Sequence, residues 1–259
     1  MIIDTNVNIS RWPFRRLAGD ETPDLVARLR KQNVAQAWAG SFDGILHKDI
    51  GGVNARLAAE CNTQGKGLLT PFGSINPKLP DWQDDVRRCA KDYRMPGIRL
   101  HPNYHGYEVT DPVFAELLHV ARANSLVVQL VASMEDERTQ HPLMRVPPVD
   151  LSRLAQVHKS EPSTRLLLLN WWPSLRGERI GLLADAGEVY FDLAMLEGIE
   201  GVARLVGQLP VERILFGSNF PLFYFEAALL KVQESGLPQS TKTMLFEGNA
   251  RRILPSKAV

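Results

Sequence analysis

Four of the six histidines, His47, His101, His105 and His141, follow stretches that read as β-strands, and histidine is the side chain that exchanges a proton near neutral pH. His101 closes the run Gly97-Ile98-Arg99-Leu100 and is the expected general base, with His105 or His141 as its acid counterpart. The stretch Met134-Glu135-Asp136-Glu137-Arg138 sets three carboxylates side by side, a crowding that raises the pKa of one of them, and Asp136 joins the catalytic candidates on that ground. Glu137 reads as solvated surface. The alternative for His101 is a hydrogen-bonded structural residue at a strand end. No HxH or HExxH spacing supports a metal relocated onto His101, His105 or His141, and Cys61 and Cys89 form no CxxC pair, so no cofactor is expected.

Carboxamides and guanidinium groups make up the substrate-binding candidates. Asn6, Asn8, Asn170 and Asn219 all fall at strand ends, where an amide offers two donors and a carbonyl to orient a polar substrate, hold a water or stabilise an oxyanion. The competing role is capping strands and pairing nearby loop backbone. Arg11, Arg99 and Arg138 point to a small anionic partner, because guanidinium grips carboxylate or phosphate at two points. Arg15 and Arg16 read as surface charges paired with Asp20 or Glu21. Arg99 alternates with Ile98 and Leu100, so it faces away from them, either into the sheet's enclosed side or against a helix. Asp4 lies in an apolar strand and needs a partner, an arginine or backbone amides. Trp12, Phe14, Tyr104, Tyr107, Trp171, Trp172, Phe220 and Tyr224 gather at the same end. They suit a partly apolar pocket for a ring, with Trp171 against the substrate, or rim packing and a subunit contact in a homo-oligomer.

The elements that must position these groups alternate along the whole chain. Apolar strand-like runs lie at 2–7, 35–39, 68–75, 97–100, 126–132, 165–169, 189–193 and 213–216, several of them apolar at consecutive positions as strands buried on both faces are. Helical patterns fill the gaps, most clearly after Asp111-Pro112, where Phe114, Leu117, Leu118 and Ala121 fall on one face. Further helices are expected from 24, at 53–63, 81–93, 151–159, 175–184, 198–209 and 221–235, and an extra one at 241–254. Eight such units in 259 residues predict one α/β domain, a (β/α)8 TIM barrel spanning 1–259, with its chemistry at the carboxyl ends of the strands. Two long loops, 40–52 and 133–150, are expected to shape or cover a pocket there. A net charge of +1 gives no field favouring nucleic acid or an anionic membrane, no apolar run approaches the length of a membrane span, and no signal-peptide pattern opens the chain, so a cytoplasmic protein is expected.

The strand-one end Ile3-Asp4-Thr5-Asn6-Val7-Asn8 resembles the opening of the amidohydrolase superfamily, where two histidines hold the places of Asn6 and Asn8. Gly97-Ile98-Arg99-Leu100-His101-Pro102, Leu215-Phe216-Gly217-Ser218-Asn219-Phe220-Pro221 and Gly248-Asn249-Ala250-Arg251-Arg252-Ile253-Leu254 resemble its amidohydrolase-related (amidohydrolase 2) branch, in order and over nearly the whole chain. The resemblance implies a hydrolase, lactonase or decarboxylase ancestry. It also places Asn219 where metal-binding members carry an aspartate, Asn170 where a histidine is expected, and Gln129, Val131 or Ala132 in place of a strand-five histidine or modified lysine. Carboxamides are poor ligands for a divalent ion, so the expected function is metal-independent hydrolysis of a small anionic cyclic substrate such as a lactone. A metal-free isomerase would use the same proton-transfer groups, and a barrel that kept only metabolite binding is the reading from another class.

Overall fold

The computed structural model describes residues 1–254. Eight parallel strands follow one another around a single barrel in the order β1 to β8: β1 Ile2–Ile9, β2 Val34–Ser41, β3 Leu69–Ser74, β4 Gly97–Leu100, β5 Val127–Val131, β6 Leu166–Leu169, β7 Val189–Asp192 and β8 Ile214–Leu215. β8 returns to β1 through Thr5 N to Phe216 O and Asn8 N to Phe220 O, both 2.9 Å. All eight expected strands are present, β4 with the expected bounds and the others with ends shifted by one or two residues.

Period-two alternation splits each strand between two cores. Ile98 and Leu100, Val128 and Leu130, and Leu166 and Leu168 face the helices. Val127 and Val131, Leu167 and Leu169, Ile3 and Leu215 fill the barrel. The same alternation turns Arg99 and Gln129 inward, which settles the orientation of Arg99.

The helix after Asp111 runs Pro112–Ala123 with proline in its first turn, although the Asp111 carboxylate receives Glu108 N instead of capping the helix. Two expectations are corrected. Residues 40–52 are not an open loop: β2 continues to Ser41, Asp43–Leu46 forms one helical turn, and the next helix starts at Ile50, since Asp49 accepts Gly52 N at its head. The C-terminal segment is not a uniform helix over 241–254. It runs Gln239–Thr243, widens to a π-turn at Met244–Gly248 and resumes at Asn249–Ile253. Asn249 explains the anchoring, because its amide donates to Val211 O and Ile214 O, and Ala250 and Ile253 close the amino-terminal end of the barrel. Loop 133–150 is long, as expected, and carries two short 3-10 turns. Among the described residues no helix is long and apolar enough to cross a membrane.

Candidate active site

A guanidinium occupies the centre of the barrel mouth. Arg99 is completely buried, and its Nε donates to Gln129 Oε1 (2.8 Å), Nη1 to Val7 O (2.8 Å) and Asn8 Oδ1 (2.7 Å), and Nη2 to Trp38 O (3.0 Å). Four acceptors drawn from β1, β2 and β5 thus converge on a β4 side chain. Gly40 makes the room: a Cβ there would lie 2.6 Å from Arg99 Cδ and Nη1. Burial pushes the guanidinium down to about 9, against the opposing pull of Asp4 and Asp192, which leaves it cationic at neutral pH.

The amides are engaged around it. Asn6 Nδ2 donates to Asn170 Oδ1 (2.9 Å) and Asp192 Oδ2 (2.8 Å), while Asn8 Nδ2 faces Asn219 Oδ1 at 3.4 Å. Asn170 Nδ2 donates to Ser133 O (2.7 Å) and Asn219 Nδ2 to Met134 O (2.9 Å). All four are buried, so each must find partners inside the protein. Asn170 and Asn219 also sit in the left-handed region, φ 55° and 58°, which asparagine tolerates better than most residues. Their amides hold down the start of loop 133–150, and Arg15 of the β1 loop ion-pairs with buried Glu135 of the same loop. Trp12, Phe42, Ile45 and Met134 complete the roof.

Two buried carboxylates flank this network. Asp4 accepts Asn6 N and Ser218 N, both 3.0 Å, and the Ser218 hydroxyl, so its partners are backbone amides and a hydroxyl and not an arginine. Asp192, at the end of β7, accepts Asn170 N (3.0 Å) besides Asn6 and was not among the sequence candidates. The signal was there, a lone carboxylate closing the apolar run Val189-Tyr190-Phe191-Asp192. Burial pushes Asp4 up to about 7 and Asp192 up to about 6, with hydrogen bonds from Ser218 and Asn6 pulling the other way. Between pH 4 and these values the folded chain holds protons that the unfolded chain has released. These groups therefore lower stability as pH rises through that window and leave it flat above. His101 and His158, held below the ordinary histidine range mainly by burial, act oppositely as pH falls below about 6.5. Asp192→Asn isolates the carboxylate: the stability difference from wild type should move in the variant's favour, by about 3 kcal/mol at most, as pH rises from 4 to 6 and then stay constant. Urea titrations at several pH values check this; parallel curves would remove Asp192 from the account.

The histidines divide. His101 is completely buried at the end of β4, and neither ring nitrogen has a hydrogen-bond partner among the described residues. Its ring lies edge-on to His105, centroids 5.9 Å apart. Burial, then the His105 and Arg99 charges, hold His101 well below the ordinary histidine range, so it is neutral at pH 7 with a lone pair available. His105 Nε2 meets Gly44 O at 2.9 Å, and the ring also lies against the Ile75 backbone. His141 and His47 are exposed on their loops, and His141 Nδ1 accepts Leu143 N at 3.2 Å. Arg11 is also peripheral, paired with Glu21, and Arg16 pairs with Asp20 and Glu21. Trp171 is buried, with Nε1 donating to Asp192 O (2.9 Å) and edge contacts to Phe191 and Trp172. Asp136 and Arg138 form an ion pair at the rim, with Glu197 3.6 Å from Arg138. They edge a cleft of about 260 Å³ at the ends of β7 and β8 that also reaches Ser218 and Lys231. Lys231, carried among the apolar residues of helix Phe225–Gln233, was a further omission from the sequence candidates.

An eight-stranded parallel barrel with inward-facing polar residues at the carboxyl ends of β1, β4, β5, β6, β7 and β8 defines a (β/α)8 barrel with its polar site at the usual face. The chain belongs to the amidohydrolase family, whose sequence profile matches residues 9–255. Among solved structures it is similar to 5-carboxyvanillate decarboxylase LigW from Sphingomonas paucimobilis, with TM-score 0.73, 12% identity and 98% of each chain covered. An uncharacterised TIM-barrel protein from Bordetella bronchiseptica has TM-score 0.73, 15% identity and 97% of each chain covered. The 5-carboxyvanillate decarboxylase of Novosphingobium aromaticivorans, complexed with manganese and 4-hydroxy-3-methoxy-5-nitrobenzoic acid, has TM-score 0.69, 12% identity, and covers 98% of this chain and 95% of its own. At these identities the likeness is one of fold. No curated protein matches the chain.

The donor set at the mouth does not fit a divalent ion. Asn6, Asn8, Gln129, Asn170 and Asn219 are neutral, and the amide groups described above already bond to one another, to Arg99, to Asp192 or to backbone. Gln129 Nε2 likewise donates to Thr5 O (2.8 Å). Among the described residues no three His, Cys, Asp or Glu side chains group together so as to hold a metal ion.

Proposed function

We propose that this protein is a metal-independent hydrolase that opens a small anionic cyclic ester, a lactone, with His101 as general base. The observation that carries the reading is a completely buried imidazole at the carboxyl end of β4, beside His105, with no hydrogen-bond partner for either nitrogen among the described residues. His158 shares the burial and the missing partners but lies on helix Leu154–His158, away from the strand end. Leaving buried polar groups unsatisfied costs about 1–3 kcal/mol each, and such a cost is retained where a bound water or substrate supplies the missing partner. A water held by His101 gives up its proton to the ring as its oxygen adds to the ester carbonyl carbon. The tetrahedral adduct then collapses by breaking the ring C–O bond, and the departing alkoxide takes a proton from the imidazolium or by way of His105. One water is consumed and a hydroxy acid is formed. An ester suits this machinery better than an amide, because its leaving group departs without strong prior protonation and proton transfer with charge stabilisation suffices. Entry requires the roof formed by loop 133–150 to lift, and Arg138 on that loop meets the substrate carboxylate at the rim.

A second reading has its own support. The amides and Arg99 are engaged internally, as expected of a barrel that binds a metabolite and catalyses nothing. A lactone and lactone-isomer panel, assayed with and without chelator, separates the two. Hydrolysis indifferent to chelator supports the proposal; turnover abolished by chelator rejects it. Interconversion of lactone isomers without ring opening would assign the same proton transfers to an isomerase. No turnover, with carboxylates raising the melting temperature, leaves the binding barrel.

A further inference from the structure

The cleft at the ends of β7 and β8 holds a lysine with no carboxylate in ion-pair contact among the described residues, although Asp136 and Glu197 also line it. Lys231, partly buried on helix Phe225–Gln233, donates Nζ–H to Ala194 O at 2.7 Å and reaches Leu193 O at 3.5 Å. Among the described residues no carboxylate lies within 4.0 Å of it, so one of its three N–H groups has no protein acceptor. Removing an ammonium from water without direct pairing is unfavourable, and burial presses the Lys231 pKa below the ordinary lysine range against the opposing pull of Asp192 and Glu197. Across the cleft stands Arg138, whose Nε and Nη2 engage Asp136 while Nη1 carries no hydrogen bond among the described residues. Met195, Phe223 and Tyr224 give the walls an apolar character.

We propose that this cleft is a binding site for a small monocarboxylate with a compact apolar body, held by Lys231 with Arg138 as the second contact. The carboxylate gives Lys231 the direct ion-pair partner it lacks, and the body lies against Met195, Phe223 and Tyr224. The volume, about 260 Å³, is below the ~300 Å³ of the smallest ordinary ligand pockets and limits the ligand to about the size of benzoate or hexanoate. The inference goes beyond the hydrolase reading, since His101 is not among the residues that line this cleft. It is read by binding and not by turnover, so it stands or falls separately from His101.

Calorimetric titration of the full chain with benzoate, hexanoate, benzamide and inorganic phosphate tests it. The wild type is expected to bind both carboxylates in the millimolar range or tighter, and benzamide and phosphate at least about tenfold more weakly, since a charge-assisted hydrogen bond is worth about 1.5–3 kcal/mol. Lys231→Met keeps the apolar stem and removes the charge. It should lose at least about tenfold in carboxylate affinity with an unchanged or higher melting temperature. Ala227→Trp, at an exposed helix position lining the cleft, should block binding by filling it while Lys231 stays in place. No carboxylate binding by the wild type, phosphate binding as tightly as benzoate, or wild-type affinity in either variant would overturn the proposal.

Discussion

Arg99→Met is expected to destabilise the fold by about 3–5 kcal/mol, the range seen when one partner is removed from a buried charged network. The thioether fills much of the volume but donates nothing. Gln129 Oε1, Asn8 Oδ1, Val7 O and Trp38 O lose the donor they share, and the buried carboxylates of Asp4 and Asp192 lose their cationic neighbour. For a chain of this size the melting temperature should fall by roughly 6–20 °C, or the variant should fail to accumulate folded. Arg99→Lys should recover only part of the loss, because a single ammonium cannot reach acceptors on three strands in a fixed fork. Scanning calorimetry and urea unfolding decide the matter. A melting temperature within about 2 °C of wild type would mean that the guanidinium does not hold the mouth together.

His101→Asn should have the opposite profile. Toward any ester that the wild type hydrolyses, kcat/KM should fall about 10²–10⁴-fold, the usual contribution of a positioned general base. Stability should hold or improve, because the wild-type imidazole has no partner to lose. The combination is diagnostic: a structural histidine would carry the stability loss and leave the rate of the folded fraction intact. Undiminished turnover by His101→Asn would remove the residue from the mechanism. His101→Phe, which keeps the ring and removes both nitrogens, guards against an effect of volume alone.

The strands were legible because a strand covered on both faces is apolar at consecutive positions, as in Leu166–Leu169, and eight of them in succession leave few topologies besides a barrel. The carboxyl end of the barrel was legible too: Asn6 bonds to Asn170 and Asn8 faces Asn219 there, and His101 closes β4 at the same end. Their partners were not. Alternation with Ile98 and Leu100 puts Arg99 opposite them without saying which side is the interior, and only closure of the barrel brings Val7, Trp38 and Gln129 to its guanidinium. Pairings such as Asn6 with Asp192 span most of the chain and leave no local pattern. Loop arginines present the reverse difficulty: Arg11 and Arg15 are near neighbours in sequence, yet one meets Glu21 locally and the other fastens the roof through Glu135. The turn at Asp43–Leu46 was missed because four residues are too few to display a helical period.

The mouth is organised around a guanidinium and carboxamides already bonded to one another or to backbone, a donor set that does not fit a divalent ion. Titration of protein first stripped with chelator and then dialysed, with manganese and with zinc, followed by elemental analysis of the desalted sample, tests it most directly. Neither ion is expected to be retained stoichiometrically, and the unfolding temperature should be the same before and after stripping. One tightly held ion per chain, lost on replacing Asn6 or Asn219 by alanine, would contradict it.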